Sequence, residues 1–467
     1  MKTKLILLLT LLIAVTISCK KQEEKQPELS PSTLSMVNKA RALAEPPATW
    51  QEHWFEHVQL LNKVFSDTSV AVYFDNDVSR TITWPNTYLA QVWNYTKQKY
   101  GSFGTDSRLF VILHTGRYGG GHPSTYMDAS HDYRNVIDCG SNSTTAWLSG
   151  TGNDLDLTTH EVGHIVELAS KNIQGSPAFN IWHDSKFMEL YIYDVYQGLG
   201  RTADAQRWYN LVLGNSDTYP RANSHWFKDF WYPIYTQQGN PASINNYFTL
   251  LSLYFPTQTV SNGITNISKY SRDLNFGEFV HFWSGATGID LTPLALTAFG
   301  NLDEQGNDWL AQLQQAKLTF PALVYSKDIT SQGAVTVSNE NSGGASATEG
   351  SSKLIDRLYN TKFFLAAFPT SFWAEVTFPG AMVSRKYTIT SGNDSPDRDP
   401  KNWKLLGSND GSNFVQLDLR SGETFAARNQ TKIYTFNNST AYKYYRLSIT
   451  ASNGSADLQL SEWRLLQ

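Results

Sequence analysis

The chain of 467 residues is 41% hydrophobic and 17% charged, enough apolar material for more than one core, which excludes a wholly disordered protein. Its 38 Lys and Arg against 42 Asp and Glu give a net charge of −4, so it has no general electrostatic attraction to nucleic acid. Aromatic residues make up 13% of the chain; most are expected in cores, and some as stacking surfaces for extended ligands.

Residues 1–18 place Lys2 and Lys4 ahead of an apolar run, Leu5 to Ile17, that is too short to span a bilayer comfortably, and so read as an export signal. Ser18 and Cys19 resemble the lipobox of bacterial lipoproteins, with simple secretion as the alternative. The resemblance implies cleavage before Cys19, acylation of Cys19 and an anchor in the outer membrane. Cys139 is then left without a disulfide partner. Residues 19–45 lack apolar periodicity and read as a flexible tether. Glu23 and Glu24, soon after the cysteine, resemble the surface-export signal of Bacteroidetes lipoproteins, which implies a location outside the cell.

In residues 83–100 the apolar positions Leu89, Val92, Trp93 and Tyr100 recur at helical spacing behind Pro85. Arg108 to His114, RLFVILH, is a nearly continuous apolar run, as expected of a strand buried on both faces, and the glycine-rich GRYGGGHPSTYMD that follows reads as a loop. From about Asp154 to Phe299 the pattern is mostly helical. After about residue 325 polar turns separate short alternating segments, among them Trp373 to Phe378, Arg385 to Thr390 and Tyr444 to Thr450, the signature of a β-sandwich.

His160-Glu161-Val162-Gly163-His164 carries the sharpest chemical signal. On a helix, residues four apart share a face, so both imidazoles can bind one Zn²⁺ while Glu161 stands beside it as a proton acceptor. Asp154 and Asp156 favour the helix start. Gly163 inside the helix costs about 1 kcal/mol relative to Ala, which a close backbone contact beneath the site would explain. A catalytic site needs a third protein ligand. Glu189, 25 residues after His164, is the preferred one because its side chain is long; Asp184, 20 residues after His164, is the competitor. A developing oxyanion needs a further donor, for which His225 and Tyr270 are the candidates, although either can be an ordinary packed residue. Asp194 can orient a zinc-binding imidazole. His122 and His131 flank the glycine-rich loop as substrate contacts or merely solvated side chains, and His281 reads as core.

This arrangement resembles gluzincin metallopeptidases, specifically the enhancin-like or mucin-degrading peptidases, in which a ligand Glu follows HExxH within a few tens of residues. FGEFVHFWSGATGIDLTPLALTAFG, Phe276 to Gly300, is similar to the segment that ends those domains. The resemblance covers about residues 50–320. It implies an α+β zincin-like fold and zinc-dependent peptide hydrolysis with Glu161 as the proton shuttle.

LIDRLYNTKFF, WAEVTF, WKLLGSND at Trp403 to Asp410, YYRL at Tyr444 to Leu447 and the final LQLSEWRLL occur in the order of a coagulation factor five/eight type C, or discoidin, domain. The resemblance implies an eight-stranded jelly-roll sandwich over residues 328–467. It further implies a structural Ca²⁺ at Asp356, Asn360 or Thr361, and Glu462, and binding of carbohydrate. The loop aromatics Phe363, Phe364 and Phe368 are candidates for stacking on a sugar, while Tyr387, Trp403 and Tyr445 read as core.

The sequence therefore reads as a multidomain chain: leader 1–18, tether 19–45, zincin-like domain 46–322 and discoidin domain 328–467. The function that follows is a lipid-anchored surface peptidase acting on glycoproteins or peptides. The alternative is a glycan-binding adhesin whose zincin domain is inactive.

Overall fold

The structure is a computed structural model and describes residues 45–238, 241–358 and 361–467. The leader, Cys19 and the tether up to residue 44 lie outside the described residues, as does Asn360.

The first domain is built on a six-stranded sheet ordered β1-β2-β3-β4-β6-β5, comprising β1 (Thr49–Gln51), β2 (Leu60–Ser66), β3 (Val70–Phe74), β4 (Leu109–Thr115), β5 (Arg117–Ser124) and β6 (Asn135–Ser141). β3, β4 and β6 run parallel, and the other pairings are antiparallel. All residues of β3 and β4 are buried, which is why these strands read as continuous apolar runs rather than alternating ones. α1 (Trp84–Tyr100) connects β3 to β4; Pro85 sits in its first turn and Gly101, at φ 102°, ends it.

Most of the glycine-rich segment expected to be a loop is instead the edge strand β5, Arg117–Ser124, while residues 125–128 lie outside it. Its pairing with β6 shifts register at Gly119 and Gly120, and a Cβ on the facing Gly140 would collide with the Tyr118 carbonyl. Glycine depletion of ordinary strands hides such a bulged edge from sequence reading.

The two faces of the sheet have different covers. Val72, Leu113, Ile137 and Cys139 join the large core shared with the helices, whereas Tyr73, Phe110, Ile112 and Val136 pack with Trp50, Trp54 and Leu61 in a smaller one. The helices are α2 (Asn153–Ala169), α3 (Phe179–Trp182), α4 (Lys186–Gly198), α5 (Thr202–Val212), α6 (Ala242–Tyr254), α7 (Phe276–Thr287), α8 (Thr292–Phe299) and α9 (Trp309–Thr319). Two π-helical segments, Trp226–Trp231 and Ile234–Gln238, lie between α5 and α6. A small sheet, β7 (Ile173–Gln174) with β9 (Asn266–Tyr270) and β8 (Thr257–Ser261), completes the domain.

The second domain is all β. One sheet orders β10 (Ala334–Val337), β12 (Phe372–Met382), β17 (Tyr442–Ser452), β14 (Pro400–Ser408) and β15 (Val415–Arg420). A second orders β16 (Thr431–Thr435), β13 (Lys386–Thr390) and β19 (Glu462–Leu466), and β11 (Phe363–Leu365) pairs with β18 (Leu458–Leu460). Its core runs from Ile329 to Leu465 and includes Tyr387, Trp403 and Tyr445, while the first domain's core ends at Leu323. The connection is short and held on both sides. Ser326 donates to Gly288 at 2.9 Å, and the next residue, Lys327, exchanges backbone hydrogen bonds with Gln467.

Candidate metal centre

α2 carries His160 and His164 one turn apart, with the two Nε2 atoms 3.1 Å from each other. The third group of the cluster is Asp184, not Glu189: Asp184 oxygens lie 3.7 Å from His160 Nε2 and 3.3 Å from His164 Nε2. For ligand bonds near 2.0 Å, the edges of a tetrahedral zinc site are about 3.3 Å long, and these three separations bracket that value. The donor set therefore fits a divalent transition metal. Side-chain exposure is 8% for His164 and 67% for Asp184, so the triangle opens to solvent on one side, as a catalytic site with a free position requires.

Glu189 is committed elsewhere. Lys186 Nζ lies 2.7 Å from its carboxylate, and Asn215 donates to the same oxygen at 3.2 Å. It sits only three residues after Lys186 on α4, a spacing that pairs the two along one face. Asp184, in the turn before α4, gains by position what its side chain lacks in length. The two imidazoles hold the Asp184 carboxyl well below the usual carboxylate range.

His164 is oriented from behind. Its Nδ1 lies 2.8 Å from Glu167 Oε2, and Glu167 accepts hydrogen bonds from Ser176 and Trp182. A carboxylate behind an imidazole fixes its tautomer and leaves the other nitrogen for a metal. Glu167 thus fills the role expected of Asp194, which accepts hydrogen bonds from Lys99, Tyr95 and Tyr235 instead.

Glu161 is 3% exposed, and its Oε2 has no hydrogen-bond partner. Burial raises its carboxyl above the usual range, opposed by the neighbouring imidazoles. It lies against the edge strand β5 at Gly121, where only a residue without a Cβ leaves room for the carboxylate. A cleft of about 580 Å³ runs from Gly119, Gly120 and Gly140 of β5 and β6 to Asn153, Asp154 and Leu157 in the first turns of α2; neither Glu161 nor any residue of the triangle lines it. The acidic residues of that turn do not cap it. Asp154 accepts from Gly150 N, and Asp156 pairs with Arg207 and Tyr196. Gly163 is held by packing, since a Cβ there would overlap Met188 and Tyr191 of α4.

Other expected participants are placed differently. His225 Nδ1 lies 2.7 Å from the Asn215 carbonyl, and no contact among the described residues joins it to the imidazole pair. Tyr270 is buried against Phe255, and His281 is packed between Tyr325 and the Phe320 carbonyl. His122 and His131 are neither solvated nor beside α2; their Nε2 atoms are 3.2 Å apart and both face Asp138 on the other side of the sheet.

In the second domain, Thr361 Oγ1 lies 2.9 and 3.0 Å from the Asp356 oxygens. Burial and the facing Asp356 carboxyl push the Glu462 carboxyl well up, and Glu462 Oε1 is buried without a hydrogen-bond partner. These oxygen donors are of the kind calcium takes, although Arg464 and Lys353 also contact the two carboxylates. The loop aromatics do not form an open platform. Phe363 is buried and stacked on Phe372, Phe364 is covered by Arg398, and Phe368 packs on the core.

No protein-family model matches the chain. Over 79 residues it is 38% identical to an Arabidopsis thaliana peptide-N(4)-(N-acetyl-β-glucosaminyl)asparagine amidase, a match that spans 16% of this chain and 11% of that enzyme. Among solved structures it is similar to the CpGH89CBM32-5 module from Clostridium perfringens in complex with GalNAc-β-1,3-galactose, at 17% identity over 30% of this chain and 98% of that one, with a TM-score of 0.26. The F5/8 type C domain of a Bacteroides fragilis protein matches at 14% identity over 30% of this chain and 96% of its own, with a TM-score of 0.27. The family 32 carbohydrate-binding module of C. perfringens NanJ in complex with galactose matches at 16% identity over 30% and 99%, with a TM-score of 0.25.

Proposed function

We propose that the protein is a zinc-dependent peptidase of the cell surface, anchored through Cys19, whose second domain binds carbohydrate and holds the enzyme near glycosylated substrates. The observation that carries the peptidase reading is the open triangle of His160, His164 and Asp184 with the buried Glu161 beside it. A zinc ion bound there supplies Lewis acidity toward a scissile carbonyl and toward a water molecule.

The protein's own groups supply the rest. β5 is the outer strand of its sheet, and its free edge can pair with an extended peptide as an added strand. Gly121 on that strand brings the peptide next to Glu161. The Glu161 carboxylate takes a proton from the attacking water and delivers it to the leaving amine, and its burial strengthens its hold on that proton. Glu167 keeps His164 in the tautomer that frees Nε2.

Carbohydrate binding rests on the ordered discoidin-like motifs in residues 328–467. The amidase match covers too little of that enzyme to extend its activity to this chain. The test is hydrolysis of a soluble peptide and of a glycosylated protein by the parent chain and by Glu161→Gln at equal zinc content. Cleavage that depends on Glu161 supports the peptidase. Glycan binding by the parent with no cleavage of either substrate supports the adhesin.

A further inference from the structure

On the face of the sheet away from α2, four side chains from three parts of the chain converge. Glu52 and His57 come from the segment between β1 and β2, His114 from the end of β4, and Asp138 from β6. Their side chains are between 0 and 5% exposed. His114 Nε2 lies 2.8 Å from Glu52 Oε1 and 3.2 Å from Asp138 Oδ1; His57 Nδ1 lies 3.0 Å from Asp138 Oδ2 and 3.7 Å from Glu52 Oε1. Glu52 Oε1, His57 Nδ1, His114 Nε2 and Asp138 Oδ1 thus face charged partners at close range, yet none of the four makes a well-aligned hydrogen bond. Buried polar atoms are rarely left so.

The atoms behind these four are held. Asp75 Oδ2 lies 2.9 Å from His114 Nδ1, Gln59 N donates to Glu52 Oε2 at 2.7 Å, and Trp54 Nε1 donates to Asp138 Oδ2 at 2.8 Å. The His57 ring is stacked on Tyr118, with centroids 3.8 Å apart. The Asp75-His114 pair repeats, on the opposite face of the sheet, the relation of Glu167 to His164.

From this geometry we infer that Glu52, His57, His114 and Asp138 form a second, closed binding site for one divalent transition ion of the zinc class, which pins the segment between β1 and β2 to the sheet. The separations between the facing ligand atoms, 2.8 Å (His114–Glu52), 3.2 Å (His114–Asp138 Oδ1) and 3.7 Å (His57–Glu52), bracket the tetrahedral edge of about 3.3 Å, and two imidazoles with two carboxylates suit zinc, whereas calcium prefers a shell of oxygens. Four protein ligands with no solvent opening make the site structural, in contrast to the three-ligand triangle on α2. His122 and His131, which also face Asp138, border the cage without completing it.

The test uses the full chain with His160→Ala and His164→Ala together, so that the α2 site is emptied and the cage is untouched. This variant is expected to retain one zinc per chain after exhaustive dialysis. Adding His57→Ala, or separately Glu52→Gln, should lower zinc affinity at least tenfold and speed proteolysis between residues 52 and 59. A folded His160→Ala/His164→Ala chain that holds no zinc and takes up neither Zn²⁺ nor Co²⁺ on titration would overturn the inference in favour of a metal-free cluster bridged by protonated imidazoles. That reading comes from a protein with an intact cluster, so misfolding of the cage variants cannot obscure it. It is also independent of whether the α2 site is catalytic.

Discussion

A Cβ built on Gly121 would lie 2.5 Å from Glu161 Oε1, so the edge strand and the helix carrying the HEVGH motif approach as closely as the missing side chain allows. This contact places the proposed base directly beside the strand on which a peptide would lie.

Gly121→Val should therefore displace Glu161 while leaving His160, His164 and Asp184 in place. The expected result is unchanged zinc content with turnover lower by on the order of 10²-fold, the typical penalty for a misplaced catalytic group. Metal analysis alongside peptide hydrolysis checks it, and equal turnover would remove Gly121 from the account.

The motif on α2, the buried strand β4 and the alternating strands β12, β13 and β17 were legible because each depends on local periodicity. The third member of the triangle was not. Side-chain length favoured Glu189, but the turn at Asp184 and the pull of Lys186 on Glu189 are tertiary facts. The cluster around Asp138 was less legible still, since its members span residues 52 to 138 on separate elements. The only local hint is the paired Glu-His spacing in Glu52-His53 and Glu56-His57. The edge strand was hidden by its glycines, of which Gly121 makes room for Glu161 rather than a turn, while Gly140 on the neighbouring β6 makes room for the Tyr118 carbonyl.

Gly163→Ala should cost about 1–3 kcal/mol through overpacking against Met188 and Tyr191. Met188→Ala in the same chain should recover part of that loss, because the two residues contact and their effects do not add. Denaturant midpoints of the single and double variants measure the coupling; strictly additive losses would contradict it.

Asp194→Ala should destabilise the protein by about 3 kcal/mol, since it leaves Lys99 without its buried partner. Zinc content of the folded fraction should not change. A specific loss of zinc would return Asp194 to the metal site and displace Glu167 as the residue orienting His164.

In the second domain, Ca²⁺ added to chelator-treated protein should raise the unfolding temperature of the transition that reports the sandwich core. Glu462→Gln should abolish that rise by removing a buried carboxylate ligand. Two calorimetric transitions are expected, one for each core. No response to Ca²⁺ in the parent would assign Asp356, Thr361 and Glu462 to turn structure held by Lys353 and Arg464.

Turnover of Glu161→Gln and of the parent on one glycosylated protein, with zinc content matched, separates a Glu161-dependent peptidase from a glycan-binding protein. The amide keeps the size of the side chain and removes its capacity to accept the proton, so turnover should fall on the order of 10² to 10⁴-fold with the fold and the metal retained. Cleavage by Glu161→Gln at the parental rate would contradict the role of Glu161 as the base.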